Sequence, residues 1–421
     1  MNHKPVKRPR RRLLEVLGPG LVTGAADDDP SGIGTYSQVG AQFGYGMAWT
    51  MFFGFPLLAS IQAVCAQIGA TTGRGIAQNL RRHYPRRVLQ GVVILLLTAN
   101  VINLGADLGA MATALALLLP GHLLLYTFLF GAVSVALEVF IAYGRYARVL
   151  KWATLSLLSY VAVLFVVDVP WGEALRSTLV PQFTFDKPHA MALVAIFGTT
   201  ISPYLFFWQA GQEVEEQHRR HIKPLCVSPR RAGAELARIR TDTLVGMGFS
   251  HLVALFIIIA TAATLHANGI TEITSAAQAA EALRPIAGDL AFALFAIGII
   301  GTGMLAVPIL AGSAAYAVSE AFGWTEGLDR KPREAKAFYG VIALATLGGV
   351  ALNFIGVDPM KALYWAAVVN GLLAPPLMVV TMLIASNPVA MGGMPISRGL
   401  KIGGWLSTAV MAGVAAVFLV V

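Results

Sequence analysis

Charged side chains are scarce in this 421-residue sequence, and cysteine is almost absent. Asp, Glu, Lys and Arg together make up 13% of the chain, whereas hydrophobic residues make up 56%. This composition excludes an ordinary soluble globular domain. The two cysteines, Cys65 and Cys226, are too few for a disulfide framework. The sequence also lacks a nucleophile–base arrangement and a cofactor-binding loop, so we predict that the protein is not an enzyme and needs no cofactor.

Long apolar runs are the main feature of the chain. Runs of about 20 residues, each able to cross about 30 Å of hydrocarbon at about 1.5 Å per residue, recur along its whole length. Runs such as LVALFIIIATAATL have no polar stripe, which argues against a soluble helical bundle. We therefore predict an all-α polytopic membrane protein with about 11 transmembrane helices, numbered here as spans 1 to 11. The predicted centres lie near residues 28, 59, 103, 132, 159, 202, 252, 300, 346, 372 and 410.

Lys and Arg are missing from the interiors of the spans and gather on one side. Of the 31 Lys and Arg residues, 27 lie in the N-terminal tail and the even-numbered loops. Because short cytoplasmic loops collect Lys and Arg, this asymmetry predicts a multi-pass protein of a bacterial-type plasma (inner) membrane with a cytoplasmic N-terminus. The net charge of +9 is then an orientation signal that favours contact with the anionic lipid bilayer. We predict no nucleic-acid partner and no obligate protein partner.

Two spans are interrupted by helix-breaking residues. Span 1 contains DDDPSGIG and span 6 contains GTTISPY, and each break begins a group of five spans. Paired interruptions at corresponding positions predict two inverted five-helix repeats, with the binding site at broken helices 1 and 6. The predicted units are a cytoplasmic basic tail at 1–13, a first repeat at 14–170, an extracytoplasmic loop at 171–188, a second repeat at 189–385, and a loop with an eleventh helix at 386–421.

Four aspartates lie deep in apolar runs: Asp27, Asp28, Asp29 and Asp107. A charge at the bilayer centre costs at least about 2.5 kcal/mol, so it normally faces a partner, an ion or water. Pro30 removes a backbone donor, so a helix broken there exposes carbonyl oxygens beside the carboxylates. Since the span interiors contain no Lys or Arg, a divalent cation is the natural counter-charge. Consecutive helical positions differ by about 100°, so only one or two of the three adjacent aspartates can face the ion.

These residues resemble the NRAMP (natural resistance-associated macrophage protein) family of divalent-metal transporters. The segment GPGLVTGAADDDPSG is similar to the first span of that family, which runs from Gly-Pro-Gly to Asp-Pro-Gly-Asn. GAQFGYGMAW and TGRGIAQ are similar to the family sequences just before and just after the second span. The resemblance implies the inverted-repeat fold and makes Asp29 the metal-binding aspartate.

Departures from the family pattern bear on the choice of metal. Gly32 stands where the family has asparagine. The span 6 pattern Ala-x-x-Met-Pro-His is replaced by TTISPY, with Thr199 at the alanine position and Ser202 at the methionine position. Loss of the soft thioether, and the space left by small residues, suit Mg²⁺, which takes oxygen ligands and keeps several waters. These changes resemble the NRAMP-related magnesium transporter branch, which implies transport without proton coupling.

A second group of departures concerns protons. Span 3 of the family carries an Asp-x-x-Glu pair associated with proton passage, and our alignment places Asn103 and Ala106 at those positions. Asp107 then becomes an additional ligand, direct or through water. An alignment shifted by one residue would instead make Asp107 the family glutamate and would restore a proton pathway. The span 6 histidine of the family is replaced by Tyr204.

The predicted metal site contains residues from four spans. Its members are Asp29, Gly32, Asp107, Thr199, Ser202 and Asn370. Each polar member has a structural alternative. Asp29 can cap a half-helix, the hydroxyl groups can bond the preceding turn, Asp107 can bond neighbouring polar groups, and Asn370 can bond another helix.

We therefore predict a transporter that takes up Mg²⁺ by alternating access without proton coupling. The alternative is a proton-coupled Mn²⁺ or Fe²⁺ transporter with an altered site. A third hypothesis is an organic-substrate symporter of the same fold, but such a protein needs a half-helix that binds a carboxylate, whereas DDDPSG offers negative charge.

Overall fold

The computed structural model describes residues 18–141, 157–184 and 186–420. In these ranges the regular secondary structure is helical and contains no β-strand. Nine helical segments within the same ranges are long and apolar enough to cross a membrane. The predicted all-α membrane fold is thereby confirmed.

The described α-helices are numbered here in chain order. They are α1 (Pro19–Asp27), α2 (Pro30–Phe43), α3 (Trp49–Thr72), α4 (Ile76–His83), α5 (Arg86–Ala116), α6 (Leu123–Phe140), α7 (Leu158–Val163), α8 (Trp171–Leu179), α9 (Lys187–Thr200), α10 (Pro203–Arg219), α11 (Ala232–Thr264), α12 (Ala276–Glu281), α13 (Arg284–Ala287), α14 (Ala291–Phe322), α15 (Lys336–Leu352), α16 (Pro359–Ser386) and α17 (Arg398–Val420).

The predicted spans correspond to these helices as follows. Span 1 is the pair α1 and α2, span 6 is the pair α9 and α10, and the other spans except span 5 are α3, α5, α6, α11, α14, α15, α16 and α17. Span 5 falls partly on residues 142–156, which lie outside the described residues, as does the basic tail at 1–13. The count of 11 spans and the boundaries of the two repeats therefore stay predictions.

Close glycine contacts place the two broken spans directly against intact helices. A Cβ atom added at Gly24 of α1 would lie 2.2 Å from the carbonyl oxygen of Gly246 of α11. A Cβ atom added at Gly198 of α9 would lie 1.9 Å from the carbonyl oxygen of Ala367 of α16. Backbones approach this closely only where side chains are absent, as is typical of helix interfaces in membranes. α11 and α16 therefore fix the positions of the two breaks.

Both breaks lie in the centre of the fold. All residues in the ranges 26–37 and 194–213 are buried or nearly so, whereas many large apolar side chains on the outer helices are exposed. The exposed apolar side chains suit contact with lipid, and the buried ranges are shielded from both lipid and bulk water. Irregular backbone at membrane depth is tolerated only where protein or a water-filled cavity surrounds it, and the breaks meet that condition.

Candidate metal site

The first break separates α1, which ends at Asp27, from α2, which begins at Pro30. Asp29 lies between the two helices in an extended conformation, with φ −71° and ψ 172°. Its Oδ1 accepts a hydrogen bond of 2.6 Å from the backbone N–H of Gly32, so Asp29 is the N-cap of α2. The cap leaves room for an ion, because an ionised carboxylate has about four lone-pair positions.

The second break separates α9, which ends at Thr200, from α10, which begins at Pro203. The Ser202 hydroxyl lies 2.6 Å from the carbonyl oxygen of Thr199 and 3.0 Å from that of Gly198. Since Pro203 has no N–H to offer the Thr199 carbonyl, the hydroxyl takes the place of the missing backbone donor. The hydrogen of Ser202 is therefore used within the break, and its oxygen lone pairs remain for an ion.

Gly32 lies where the two breaks meet. A Cβ atom added there would lie 3.1 Å from the carbonyl oxygen of Asp27 and 3.3 Å from the hydroxyl oxygen of Thr199. It would also lie 3.3 Å from the ring of Tyr36, a fully buried residue that the sequence analysis did not select. Tyr36 follows Gly32 by one helical turn, and this i, i+4 spacing was the signal that could have identified it. The absent side chain leaves a small space lined by oxygens from both halves.

Tyr204 of α10 reaches from the second break to the first. Its hydroxyl oxygen lies 3.1 Å from Asp29 Oδ2 and 3.2 Å from the carbonyl oxygen of Ala26. The usual helical partner of that carbonyl is the N–H of residue 30, which here is proline. The sequence identified Tyr204 only as the replacement of a histidine, because spacing cannot predict a contact between residues 175 positions apart.

Asp107 of α5 faces the first break from the side. It is fully buried and lies near the backbone N–H of Ser31 and the carboxylate of Asp29. Two predicted site carboxylates, from different spans, are therefore brought together. Their negative charges repel each other unless a cation or a proton lies between them.

Asp27 and Asp28 face α11 instead. The Ser250 hydroxyl lies 2.7 Å from Asp27 Oδ2 and 3.3 Å from Asp28 Oδ1. Within the described residues, neither these two aspartates nor Asp29 and Asp107 form an ion pair with a basic side chain. Buried carboxylates without a basic partner are costly, so the region favours a bound cation.

Asn370 of α16 is engaged with another amide. Asn103 of α5 donates a hydrogen bond of 2.7 Å to Asn370 Oδ1, and Asn370 donates one of 3.0 Å in return. This pair is the interhelical alternative foreseen for Asn370. Asn103 lies one helical turn before Asp107, so the pair forms the layer next to the candidate site. A role for Asn370 as a ligand stays a prediction.

The donors at the breaks are oxygens of several kinds. In the described part of the chain, no three His, Cys, Asp or Glu side chains converge closely enough to hold a metal by themselves. The space at Gly32 is bordered by the Asp27 carbonyl oxygen and the Thr199 hydroxyl, Asp29 bonds the Gly32 N–H, and Asp107 lies near Asp29. Few carboxylates, neutral oxygens and open space suit a hard cation that retains some of its waters.

A cavity of about 420 Å³ lies beyond the break, on the side that the basic residues predict to be extracytoplasmic. Gly34 and Gln38 of α2 contribute to its wall. Between this cavity and the break, the carbonyl of Leu363 accepts a 2.9 Å hydrogen bond from the Ser31 hydroxyl. The Leu363 side chain packs so closely on Gly34 that an added Cβ atom would lie 2.8 Å from it. These two contacts between α2 and α16 therefore lie between the cavity and the break.

Comparison with known proteins gives a family match over most of the chain. The model of the family described as "Natural resistance-associated macrophage protein-like" matches residues 20–421. The chain is 24% identical over 416 residues to the divalent metal cation transporter MntH of Klebsiella pneumoniae, covering 96% of this chain and 93% of that protein. It is 27% identical over 383 residues to MntH of Verminephrobacter eiseniae, covering 85% and 82%.

Solved structures agree with the fold. The chain is similar to a manganese transporter of Eremococcus coleocola, crystallised with an aromatic bis-isothiourea substituted compound, with a TM-score of 0.76 and 16% identity over 97% of this chain and 86% of that one. It is also similar to Mhp1, a nucleobase-cation-symport-1 family transporter, with a TM-score of 0.62 and 18% identity over 96% and 91%. These similarities confirm the predicted fold class, including its inverted-repeat architecture.

Proposed function

This chain belongs to the Nramp (natural resistance-associated macrophage protein-like) family, and on that premise we propose that it carries Mg²⁺ into the cell by alternating access, without coupling to protons. The class of cargo, a divalent metal cation, follows the names of its relatives. The choice of Mg²⁺ follows from the residues at the two breaks, which differ from the family pattern.

The observation that carries the proposal is the set of oxygen donors around Asp29 and Gly32. Asp29 and Asp107 supply carboxylate oxygens, while the Asp27 carbonyl and the Thr199 hydroxyl face the space where Gly32 has no side chain. Mg²⁺ is commonly held by one or two carboxylates together with waters, because it gives up its hydration shell reluctantly. The small residues at the breaks leave room for such waters.

Ser202 supports the same choice from the second half of the fold. It stands at the position where the family pattern has methionine, whose soft thioether suits softer transition metals better than Mg²⁺. Here the break presents hydroxyl and carbonyl oxygens, since Ser202 bonds the carbonyls of Thr199 and Gly198. Oxygen donors of this kind favour hard cations.

The membrane potential is sufficient to drive this uptake. Moving a divalent cation inward releases about 4.6 kcal/mol per 100 mV, which is twice the value for one elementary charge. At 100 mV, this free energy sustains a ratio of internal to external Mg²⁺ concentration of about three orders of magnitude. A proton gradient is therefore unnecessary for uptake.

A proton-coupled Mn²⁺ transporter is the second candidate. The position of Asp107 beside Asp29 favours it, because a family glutamate shifted by one residue would place a proton-accepting group there. The solved relative named as a manganese transporter points in the same direction. The two candidates make opposite predictions about metal preference and proton movement.

Flux measurements in proteoliposomes distinguish the two candidates. The purified protein is reconstituted, an inside-negative potential is set with a K⁺ gradient and valinomycin, and internal reporters follow Mg²⁺, Mn²⁺ and pH. We expect Mg²⁺ influx that increases with the potential and leaves the internal pH unchanged. Mn²⁺-driven acidification without Mg²⁺ influx would refute the proposal and establish the second candidate.

A further inference from the structure

We infer that the hydroxyl group of Tyr204 positions Asp29 in the empty site and transfers its hydrogen bond to the carbonyl of Ala26 when a divalent cation binds. This inference rests on the proposed function only in requiring a divalent cation at Asp29. It applies equally to Mg²⁺ and Mn²⁺. Tyr204 is thus a positioning residue for the ligand, and it switches between two hydrogen-bonded arrangements.

The first argument is that one hydrogen has two acceptors. The Tyr204 hydroxyl oxygen lies 3.1 Å from Asp29 Oδ2 and 3.2 Å from the Ala26 carbonyl oxygen. Both distances allow a hydrogen bond, but a phenol has a single O–H to donate. Rotation of that O–H about the C–O bond is enough to change the acceptor.

The second argument is that both acceptors need an external donor. The Ala26 carbonyl has lost its helical partner because residue 30 is proline, and a buried carbonyl without a donor is costly. Asp29 uses Oδ1 to cap α2 through the N–H of Gly32, which leaves Oδ2 for Tyr204 or for an ion. With no basic side chain paired to Asp29 in the described residues, the phenol is its main side-chain donor.

The third argument is that the rest of Tyr204 is held in place. Only 1% of its surface is exposed. Its own carbonyl accepts a 2.8 Å hydrogen bond from the hydroxyl of Ser313 on α14, which ties the start of α10 to an intact span. Because ring and backbone are fixed, reorientation of the hydroxyl hydrogen is the smallest motion that can answer the arrival of an ion.

These three features define a cycle for the hydroxyl. In the empty site it donates to Asp29 Oδ2 and stabilises the buried carboxylate. A cation that binds Asp29 takes over that oxygen, and the hydroxyl hydrogen turns to the Ala26 carbonyl. The phenol oxygen then directs a lone pair toward the cation. The hydroxyl keeps its hydrogen throughout, so the exchange moves no proton across the membrane.

Infrared difference spectroscopy tests the inference directly. The C–O stretch of a tyrosine ring depends on whether its hydroxyl donates or accepts hydrogen bonds, and ring-labelled tyrosine identifies the band. We expect addition of Mg²⁺ to the purified protein to shift one tyrosine band. The shift should be lost in Tyr204→Phe and kept in Tyr339→Phe, a matched control whose hydroxyl donates to the Arg330 carbonyl at 2.9 Å, in a loop away from both breaks.

Calorimetry on the same samples separates the possible failures. If Mg²⁺ binds but no tyrosine band shifts in the unmodified protein, or if the shift persists in Tyr204→Phe, the inference is wrong while the proposed cargo stands. If Mg²⁺ does not bind, the proposed cargo is wrong, and the Mn²⁺-induced spectrum decides the inference by the same criterion. Because the unmodified protein alone can give the contrary result, the test holds even if Tyr204→Phe fails to fold.

Discussion

Replacement of Asp242 by asparagine is predicted to loosen the N-terminal end of span 1, which the distribution of basic residues predicts to be cytoplasmic. Asp242 of α11 accepts three hydrogen bonds from the start of α1: Oδ1 from the N–H groups of Gly18 (2.9 Å) and Leu21 (3.0 Å), and Oδ2 from that of Gly20 (2.8 Å). The first N–H groups of a helix have no partner within the helix, and its N-terminus favours a negative charge. Asp242 thus acts as a cap supplied by another span.

The size of the effect follows from the number of acceptors. Asparagine keeps one acceptor oxygen and turns an NH₂ group toward a backbone N–H, so Asp242→Asn loses at least one of the three bonds. A hydrogen bond to a charged group contributes about 1.5–3 kcal/mol. Asp242 is fully buried, and solvent cannot replace the lost bond. If the bonds exist only while α1 is docked on α11, the equilibrium shifts toward the undocked state by about 10- to 150-fold.

Hydrogen–deuterium exchange measures this shift. We expect the amides of residues 18–27 to exchange at least about 10-fold faster in Asp242→Asn than in the unmodified protein. Asp358→Asn is the matched control, because Asp358 caps a different helix, α16, through the N–H groups of Met360 and Lys361. Exchange in residues 18–27 that is equal in both variants would show that Asp242 does not hold α1 in place.

Three further predictions concern the site and the loop between α14 and α15. Asp29→Asn is expected to reduce Mg²⁺ flux in proteoliposomes to that of empty liposomes. The control Asp186→Asn, which alters an exposed cap of α9, should keep the flux of the unmodified protein. Mg²⁺ flux through Asp29→Asn above that of empty liposomes would mean that the ion binds elsewhere. Ser202→Met adds a thioether and is expected to raise the Mn²⁺-to-Mg²⁺ uptake ratio at least about 10-fold. An unchanged ratio in competition assays would mean that residue 202 does not face the ion. Burial, with Glu320 and Glu215 nearby, raises the pKa of Glu326 to about 9. The folded protein then binds more protons than the unfolded chain between about pH 4.3 and 9, so this group lowers stability as pH rises through that window. Glu326→Gln should therefore raise the melting temperature at pH 8 by a few degrees and change it little at pH 4, and equal melting temperatures at pH 8 would contradict this assignment of the pKa.

The positions of both breaks could be predicted because they depend on local covalent chemistry. Pro30 and Pro203 lack the N–H that a continuing helix needs, and the observed helices end and restart around both residues. Burial of the aspartates also followed from the sequence, since Asp29 and Asp107 lie midway along apolar runs. Each of these predictions depends on the sequence of a single segment and not on how the helices pack.

The partners of the buried groups could not be predicted, because they depend on which helix faces which. Asp242 meets Gly20 across 222 positions, and Asn103 meets Asn370 across 267. Periodicity shows which face of a helix is apolar, but it does not identify the neighbouring helix. The amide pair illustrates the consequence, since Asn370 was selected for its position in span 10 while its partner lay in span 3.

The run of three aspartates divides into two groups with different surroundings. Asp29 lies between α2, Tyr204 and Asp107, whereas Asp27 and Asp28 share the hydroxyl of Ser250 on α11. A divalent cation at Asp29 balances two negative charges, which are those of Asp29 and Asp107. Asp27 and Asp28 remain outside that balance and depend on one serine hydroxyl in the described residues. We therefore expect Ser250→Ala to lower the melting temperature of the protein even in saturating Mg²⁺. A melting temperature in saturating Mg²⁺ equal to that of the unmodified protein would refute this division.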